Sequence, residues 1–393
     1  MNALFAHDHI FYKFDETFLS NGGLSYEVLS RYLGVFDNLQ IISRQVEIDD
    51  VNKNLTLASG KNVKFCKVPN YKSIKKMYKV FRAKRVIREA VKGTDCVIAR
   101  LPSLIGNLAI KYAKKYNKPY MVEVVGCAWD ANINYGNLAG KILAPYDYLT
   151  NRFHIKHSKY TIYITKNFLQ KRYPTNGKIE VCPNVNIKPV NSHVLFERLN
   201  RIIEKRSYLR FGLIGSLDVD YKGHETVIKA LGLIKDKLPD FKVEFLGEGD
   251  QNRWRKLLEN NNMTDNVFFV GTLPSGKSVY NWMDKIDIIL QPSYAEAQGR
   301  SIIEAMSRGC PIISSKVGGI VELIDSDWLI EAGDYTSLSK KILNMVEDPQ
   351  NQILQSKRNF QEARQYYKYN IEDKRSKFLT KFKIDIERME GIK

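Results

Sequence analysis

Acidic residues are in short supply in this 393-residue sequence: 43 Asp and Glu stand against 61 Lys and Arg, a net charge of +18. Cysteine is scarce too, since the five are scattered without a C-x-x-C pair, which argues against a disulfide framework and a zinc site. No apolar run approaches the roughly 18 residues of a spanning helix. The opening MNALFAHDHIF is interrupted by polar residues and predicts a first strand, not a signal peptide. We therefore expect a cytoplasmic protein with an anionic partner.

Much of the positive charge lies in one segment. Residues 72–92, KSIKKMYKVFRAKRVIREAVK, run from Lys72 to Lys92 with a single acidic residue. On a helical wheel Tyr78 and Phe81 share one face and most of the lysines lie opposite, which predicts a basic amphipathic helix. Such a helix is typical of an ordinary basic surface or of docking onto an anionic membrane. Nucleic acid is not an expected partner, because the sequence has no zinc-finger spacing or RNP-like motif.

Short β-branched runs alternate with longer helical patterns along the chain, as in the βαβ units of a parallel sheet. The pattern changes to a polar stretch near Cys182-Pro183-Asn184. We therefore predict two doubly wound, Rossmann-like domains, one over residues 1–185 and one over residues 186–369. The charged, helical residues 370–393 are predicted to pack back on the first domain.

The densest motif is EAQGRSIIEAMSRGCP, which begins at Glu296. It follows an apolar run, so Glu296 is predicted on a loop after a strand. Glu304 is predicted about one turn inside the next helix, which Gly299 or Arg300 opens. Carboxylates placed this way can bracket a polyol by accepting hydroxyl hydrogen bonds, while free helix N–H groups face a phosphate. A surface glutamate plus a glutamate favoured by the helix dipole would give the same spacing.

Further glycines in the second half lie where predicted strands end. Gly215 ends one strand, Gly271 ends another and Gly318 follows a third. Ligands of open parallel sheets bind beyond the carboxyl ends of the strands, so these glycines share a rim with Glu296. In type and order the set resembles family 4 of the retaining glycosyltransferases, which have the GT-B fold. The resemblance covers the second domain and is thinner in the first; its residues are Gly215, Lys222-Gly223, Gly247, Gly249, Gly271, Pro292-Ser293, Glu296, Glu304, Gly309, Pro311, Gly318-Gly319 and, in the first domain, Gly22-Gly23 and Pro183-Asn184.

The resemblance implies an α/β GT-B protein, with two Rossmann-like domains facing across a cleft. It implies a nucleoside diphosphate sugar as donor, a UDP-sugar being favoured over a GDP-sugar, and no metal. Glu304 would hold the ribose hydroxyls, Glu296 would contact the sugar and Lys222 would face the pyrophosphate. The first domain would bind the acceptor, with Gly22 and Gly23 on an acceptor or phosphate loop. The implied donor-binding residues are Gly215, Ser216, Lys222, Gly271, Leu273, Glu296, Gly299, Arg300 and Glu304.

Two departures from the family pattern affect the expected catalytic residues Glu296, Lys222, Arg300 and Asp130. Many members have an arginine where this chain has Ser216. Arg300 is predicted to replace it with a bidentate guanidinium; an exposed Arg300 paired with a glutamate is the alternative. A family histidine is missing from YMVEVVGCAWDANINYG, where Asp130 is expected to face the cleft or to cap a helix. No general base is assigned, because the leaving phosphate can take the acceptor proton.

Three metal-like patterns are discounted because they lack convergent ligands or have a lysine beside them: Asp218-x-Asp220, His7-x-His9 and His154-x-x-His157. The sequence therefore predicts a retaining glycosyltransferase that acts on a lipid-linked or oligosaccharide acceptor. Polysaccharide or cell-envelope assembly at the inner face of the membrane fits this prediction by analogy. A binding or scaffold subunit without turnover, and a nucleotide-sugar epimerase, are the open alternatives.

Overall fold

The computed structural model describes residues 1–51, 55–70, 78–134, 138–204 and 208–391. The chain forms two compact units, one made of Met1–Cys182 with Ile371–Lys393 and the other of Pro183–Asn370. The change of unit after Cys182 lies three residues before the boundary predicted from the polar stretch. Both units are α/β, as the alternation of β-branched and helical segments predicts.

The first unit is built on a sheet in which seven strands run parallel in the order β5-β3-β1-β6-β7-β8-β9. The central strands are nearly continuous runs of apolar residues because helices cover both of their faces. The strands are β1 Asn2–Phe14, β2 Thr17–Asn21, β3 Asn38–Glu47, β4 Leu55–Leu57, β5 Val63–Lys67, β6 Cys96–Leu101, β7 Tyr120–Val124, β8 Tyr160–Tyr163 and β9 Lys178–Val181. The helices are α1 Tyr26–Leu33, α2 Val80–Lys92, α3 Leu104–Lys115, α4 Ala128–Asn134, α5 Leu138–Lys156 and α6 Phe168–Arg172.

The first strand is longer than its apolar start predicts. β1 continues to Phe14, turns at Asp15 with a positive φ of 48°, and pairs antiparallel with β2. Phe18 of β2 stacks on Phe65, whose ring centroid lies 4.3 Å away, and this packing anchors the hairpin. The Gly22-Gly23 pair, predicted directly after the first strand, therefore follows β2 instead.

The basic segment also differs from its prediction. Lys72 and the rest of 71–77 lie outside the described residues, and α2 begins at Val80. Its buried face consists of Ala83, Ile87, Ala90 and Val91. Tyr78 and Phe81, predicted on the apolar face, are instead exposed because the small and branched residues one turn later pack inward. Among the described residues, none of the helices combines the length and apolar character needed to cross a bilayer.

The second unit has six parallel strands in the order β12-β11-β10-β13-β14-β15. β10 lies between β11 and β13, so the strand order reverses beside it. The strands are β10 Tyr208–Ile214, β11 Asp240–Leu246, β12 Val267–Gly271, β13 Ile288–Gln291, β14 Ile312–Ser315 and β15 Leu329–Ile330. The helices are α7 His193–Ile203, α8 His224–Ile234, α9 Asn252–Asn260, α10 Lys277–Lys285, α11 Arg300–Ser307, α12 Tyr335–Glu347 and α13 Pro349–Ala363.

The last helix, α14 Lys368–Gly391, returns to the first unit from Ile371 on. Its buried Arg375 donates a 3.3 Å hydrogen bond to Glu123 at the end of β7. The same carboxylate oxygen accepts the hydroxyl of Tyr32 from α1 at 2.8 Å. The fully buried charges of Glu123 and Arg375 thus neutralise each other, which fixes α14 on this unit.

Candidate active site in the second unit

The candidate site lies at the carboxyl edge of the second sheet, where β10 and β13 are neighbours. The connection after β10 leads to α8 and β11 on one side, and the connection after β13 leads to α11 and β14 on the other. A crevice forms where connections diverge in this way, and ligands of open α/β sheets bind there. The loops that carry Lys222 and Glu296 therefore border the same crevice.

The loop after β10 brings Lys222 back over the end of its own strand. A Cβ atom on Gly215 would lie 2.6 Å from the Cγ of Lys222, so only glycine leaves room for the lysine chain. Ser216, where many family members have arginine, donates a 3.2 Å hydrogen bond to the carbonyl of Glu248. Its hydroxyl also accepts the N–H of Asp218 at 3.3 Å, so Ser216 shapes the loop and adds no charge.

Glu296 lies on the loop after β13, as the sequence predicts. Its Oε1 accepts a 2.6 Å hydrogen bond from the Lys222 ammonium group and a 3.2 Å hydrogen bond from the hydroxyl of Ser293. Both charged side chains are largely shielded from solvent. Glu296 is therefore not the unpaired surface glutamate of the alternative interpretation.

The backbone at Glu296 is held from the far side by the loop after β14. Gly319 donates its N–H to the Glu296 carbonyl at 3.3 Å. Gly318 has a φ of 54°, and a Cβ on it would lie 1.5 Å from that same carbonyl oxygen. The position of Glu296 thus depends on a close backbone approach that only glycine permits.

The helix that follows confirms the predicted placement of Glu304. Gly299 caps α11 in the left-handed region with a φ of 77°, and Arg300 is the first helical residue. Glu304 is half-buried one turn further on. Burial raises the pKa of Glu304, while the positive charge of Arg300 acts in the opposite direction. Arg300 is exposed, and no carboxylate in the described part of the chain lies within ion-pair distance of it.

Two further predicted donor residues lie at the end of β12, on the same edge of the sheet. Gly271 is the last residue of this strand, and its carbonyl accepts the N–H of Gly247 at 2.9 Å. Leu273 is half-buried two residues later. Gly271 has a φ of 74°, a conformation that favours glycine, and the chain turns at this point.

The sequence also predicted functional residues in the first unit, namely Asp130, Gly22 and Gly23. Asp130 lies in the first turn of α4, which begins at Ala128, so the helix-cap interpretation is wrong. Its carboxylate lies 3.8 Å from the guanidinium of Arg172. Gly22 and Gly23 are exposed between β2 and α1, and Gly22 has a φ of 101° that favours glycine.

The discounted metal patterns take part in ordinary structural contacts. Asp220 pairs with Arg253, and Asp218 accepts the backbone N–H of Asp250 at 2.8 Å. His9 lies 2.9 Å from the hydroxyl of Ser20, and burial, reinforced by nearby arginines, lowers the pKa of His9 to about 4. No cluster of three or more potential ligands occurs among the residues that the structure describes.

Ser293, which belongs to the Pro292-Ser293 part of the sequence pattern, shares the Glu296 carboxylate with Lys222. Two further contacts at the site were not predicted from the sequence. Gln298 accepts the backbone N–H of Asn184 at 3.0 Å and so ties down the loop between the two glutamates. Tyr280 on α10 lies near Glu304, and burial together with the negative charge of Glu304 raises the pKa of the Tyr280 phenol. Pro292-Ser293 directly follows β13, so a local pattern identifies Ser293, whereas the contacts of Gln298 and Tyr280 join distant segments and leave no local signal.

Comparison with known proteins agrees with this geometry. The profile of the family described as Glycosyl transferases group 1 matches residues 200–370. Protein CapJ of Staphylococcus aureus is 32% identical over 390 residues, which are 98% of this chain and 96% of CapJ. The crystal structure of HepE from Anabaena in complex with UDP and glucose superposes with a TM-score of 0.64 at 15% identity, covering 96% of this chain and 99% of HepE. WaaG, a glycosyltransferase involved in lipopolysaccharide biosynthesis, superposes with a TM-score of 0.65 at 16% identity, covering 97% of this chain and 100% of WaaG.

These similarities define the class of protein. GT-B glycosyltransferases have two α/β units, each built on a parallel sheet, and a site at the strand reversal of the second unit. The solved relatives share this fold over nearly their whole length. The chain belongs to the glycosyl transferases group 1 family, and it is a glycosyltransferase.

Proposed function

We propose that the chain is a retaining glycosyltransferase of family 4 that uses a UDP-sugar as donor. The observation that carries the proposal is the Lys222–Glu296 pair at the strand reversal, followed by Glu304 one turn inside α11. HepE, which has the same fold, was crystallised with UDP and glucose. A nucleotide with its sugar needs a cation for the diphosphate and carboxylates for the hydroxyls, and this edge of the sheet supplies both.

Binding of the donor would separate Lys222 from Glu296 and give each of them a new partner. A diphosphate carries more negative charge than one carboxylate, so Lys222 would turn to it and release Glu296. Glu296 would then accept hydroxyl hydrogen bonds from the sugar, and Glu304 would accept them from the ribose. In the reaction the bond between the anomeric carbon and the phosphate oxygen breaks while the acceptor oxygen bonds to that carbon. The acceptor proton passes to the leaving phosphate, so the scheme needs no protein base; Asp130 is the candidate if one acts.

Arg300 is proposed to supply the second positive charge at the pyrophosphate. It would replace the arginine that many family members have at the position of Ser216. It begins α11 beside the free backbone N–H groups of a helix N-terminus, and no carboxylate in the described part of the chain forms an ion pair with it. A positive charge at a developing phosphate charge is worth about 10²–10³ in kcat. We therefore expect a loss of that order in Arg300→Ala, partly restored when Ser216→Arg is added. The control is Arg255→Ala on the exposed side of α9; full activity of Arg300→Ala would contradict the role.

The acceptor is proposed to be a lipid-linked or oligosaccharide glycan, bound by the first unit near Gly22 and Gly23. WaaG, with the same fold, is involved in lipopolysaccharide biosynthesis, and assembly of a polysaccharide or cell envelope is the corresponding proposal for this chain. The enzyme would act from the cytoplasm without a metal, at the inner face of the membrane. Residues 78–92 support that placement, since their exposed side carries basic residues with Tyr78 and Phe81.

The proposal is tested by thermal shift and by donor turnover. UDP at 100 times its dissociation constant adds about 2.7 kcal/mol of stability, so a clear rise in Tm is expected with UDP and a smaller one with GDP. UDP release should then be measured for a panel of UDP-sugars, with and without EDTA. Binding without UDP release would favour a scaffold subunit, and interconversion of nucleotide sugars without release would favour an epimerase. No shift with any nucleoside diphosphate would refute the proposal.

A further inference from the structure

The outer face of α5 carries large apolar side chains that are mostly exposed. Ile142, Leu143, Tyr146, Leu149 and Phe153 are each between 52% and 76% exposed. Four of them recur at intervals of three or four residues, which places them in one stripe along the helix. The stripe is about 16 Å long at 1.5 Å per residue. Side chains of the opposite face, Ala144 and Ile155, are buried, so the helix is anchored with its apolar stripe outward.

The stripe adjoins a basic surface built by α2 and α3. The ammonium group of Lys114 on α3 lies 4.8 Å from the ring centroid of Phe153. On the other side of α3, Lys92 of α2 lies 5.2 Å from the ring centroid of Tyr116. The three helices together contain eleven Lys and Arg but only two acidic residues, Glu89 and Asp147. They therefore form a layer with an apolar stripe beside a strongly positive area.

We propose that this layer docks on an anionic phospholipid bilayer, with the α5 stripe inserted among the lipid headgroups. Exposed apolar patches bordered by polar residues mark interaction sites, and an apolar stripe beside basic residues fits a negatively charged membrane surface. Each Lys or Arg near such a surface adds to the attraction, and the effect falls off within a Debye length. The described part of α2 supplies mainly charge, because its exposed side is basic apart from Phe81 and Glu89, whereas α5 supplies the inserted apolar stripe.

Charge favours lipid over a second copy of this chain. If two copies met through the α5 stripe, both basic areas would be brought together, and like charges across an interface suppress association. An anionic bilayer complements the same area. The inference deepens the proposed lipid-linked acceptor and rests on that proposal for its purpose, although binding to lipid itself requires no transfer activity.

Co-sedimentation of the full chain with vesicles tests the docking. Vesicles of equal parts phosphatidylcholine and phosphatidylglycerol are compared with vesicles of phosphatidylcholine alone. Burying one leucine contributes about 1.5–3 kcal/mol, which corresponds to about 10- to 100-fold in affinity. We expect Leu149→Asp to lower binding to the anionic vesicles by at least tenfold. The matched control is Leu354→Asp on α13, a leucine of similar exposure in the other unit, which should bind as the parent chain does.

The charge is tested separately with Arg82→Gln combined with Arg85→Gln, two exposed residues of α2. This variant should lose binding to the anionic vesicles and show a weaker dependence on salt. Equal binding of Leu149→Asp and Leu354→Asp, or equal binding to both vesicle types, would overturn the proposal. So would a stable dimer without lipid that Leu149→Asp dissociates, which would assign the stripe to a second copy. A UDP thermal shift run on every variant reports on the donor site, so a missing shift with intact vesicle binding would refute the proposed donor and leave the docking standing.

Discussion

Gly318→Ala should strongly lower kcat although it replaces no charged residue. In the present structure a Cβ on Gly318 would lie 1.5 Å from the carbonyl oxygen of Glu296, and ordinary contact begins at 3.4 Å. The two backbones therefore have to separate by roughly 2 Å, and neither is a flexible side chain that can swing away. A misplacement of about 1 Å at a reacting centre can cost about 10²-fold in rate. We expect kcat to fall at least that far.

A matched control separates this displacement from backbone strain. Gly309 follows α11 with a φ of 62°, close to the 54° of Gly318, so alanine at either position costs about 1–2 kcal/mol in the left-handed conformation. A Cβ on Gly309 meets first the end of the Leu195 side chain, at 3.2 Å, which can adjust. Gly309→Ala should therefore lose only the stability that the left-handed strain costs, whereas Gly318→Ala loses at least as much, and Gly309→Ala should keep kcat within a few fold. Urea denaturation and steady-state UDP release measure the two quantities; equal kcat in both variants would refute the positioning argument.

Two further results are expected. Because burial raises the pKa of Glu304, its carboxylate takes up a proton at a higher pH than an ordinary glutamate, whose pKa is about 4.3. The affinity for UDP, measured by calorimetry, should thus weaken as the pH falls through that raised pKa. The Glu304→Gln variant should bind UDP weakly, and its affinity should not change with pH over the same range. In the first unit, Arg375→Met removes the cation that is hydrogen-bonded to buried Glu123, although Arg100 and Arg31 still act on its charge, and should cost up to about 3–5 kcal/mol in urea denaturation, whereas Tyr32→Phe removes one hydrogen bond and should cost about 1–3 kcal/mol. A cost below that of Tyr32→Phe would contradict the pairing.

The second unit was largely predictable because its signals are local. The strands are short apolar runs, three of which (β10, β11 and β12) end at or directly before a glycine, and the glycine-arginine pair at the start of α11 marks the helix that carries Glu304. Parallel topology then places the strand ends on one edge, so the sequence order is enough to assemble the rim. The family pattern gave the same rim independently, and the matching profile spans residues 200–370 of this unit.

The first unit was harder to predict because its features depend on distant partners. The β1–β2 hairpin turns at Asp15-Glu16, which lacks the Asn-Gly or Asp-Gly signal of a two-residue turn, and it is held by packing against Phe65. The face of α2 that turns inward was misjudged for a related reason. Phe81 is more apolar than Ala83, yet the close approach of α2 to α3 favours small and branched side chains at the contact.

The Lys222–Glu296 pair limits how single substitutions at the site can be interpreted. If the site binds the proposed donor, removing Glu296 would free a partly shielded ammonium group to hold the diphosphate more tightly, while the proposed contacts to the sugar would be lost. Removing Lys222 would leave Glu296 to repel the diphosphate. Each change would therefore act on both ends of the proposed donor through the 2.6 Å contact, and residues joined in this way show coupling and not additivity. The loop glycines hold the two residues at that distance, so the unit of function here is the pair together with the backbone that presents it.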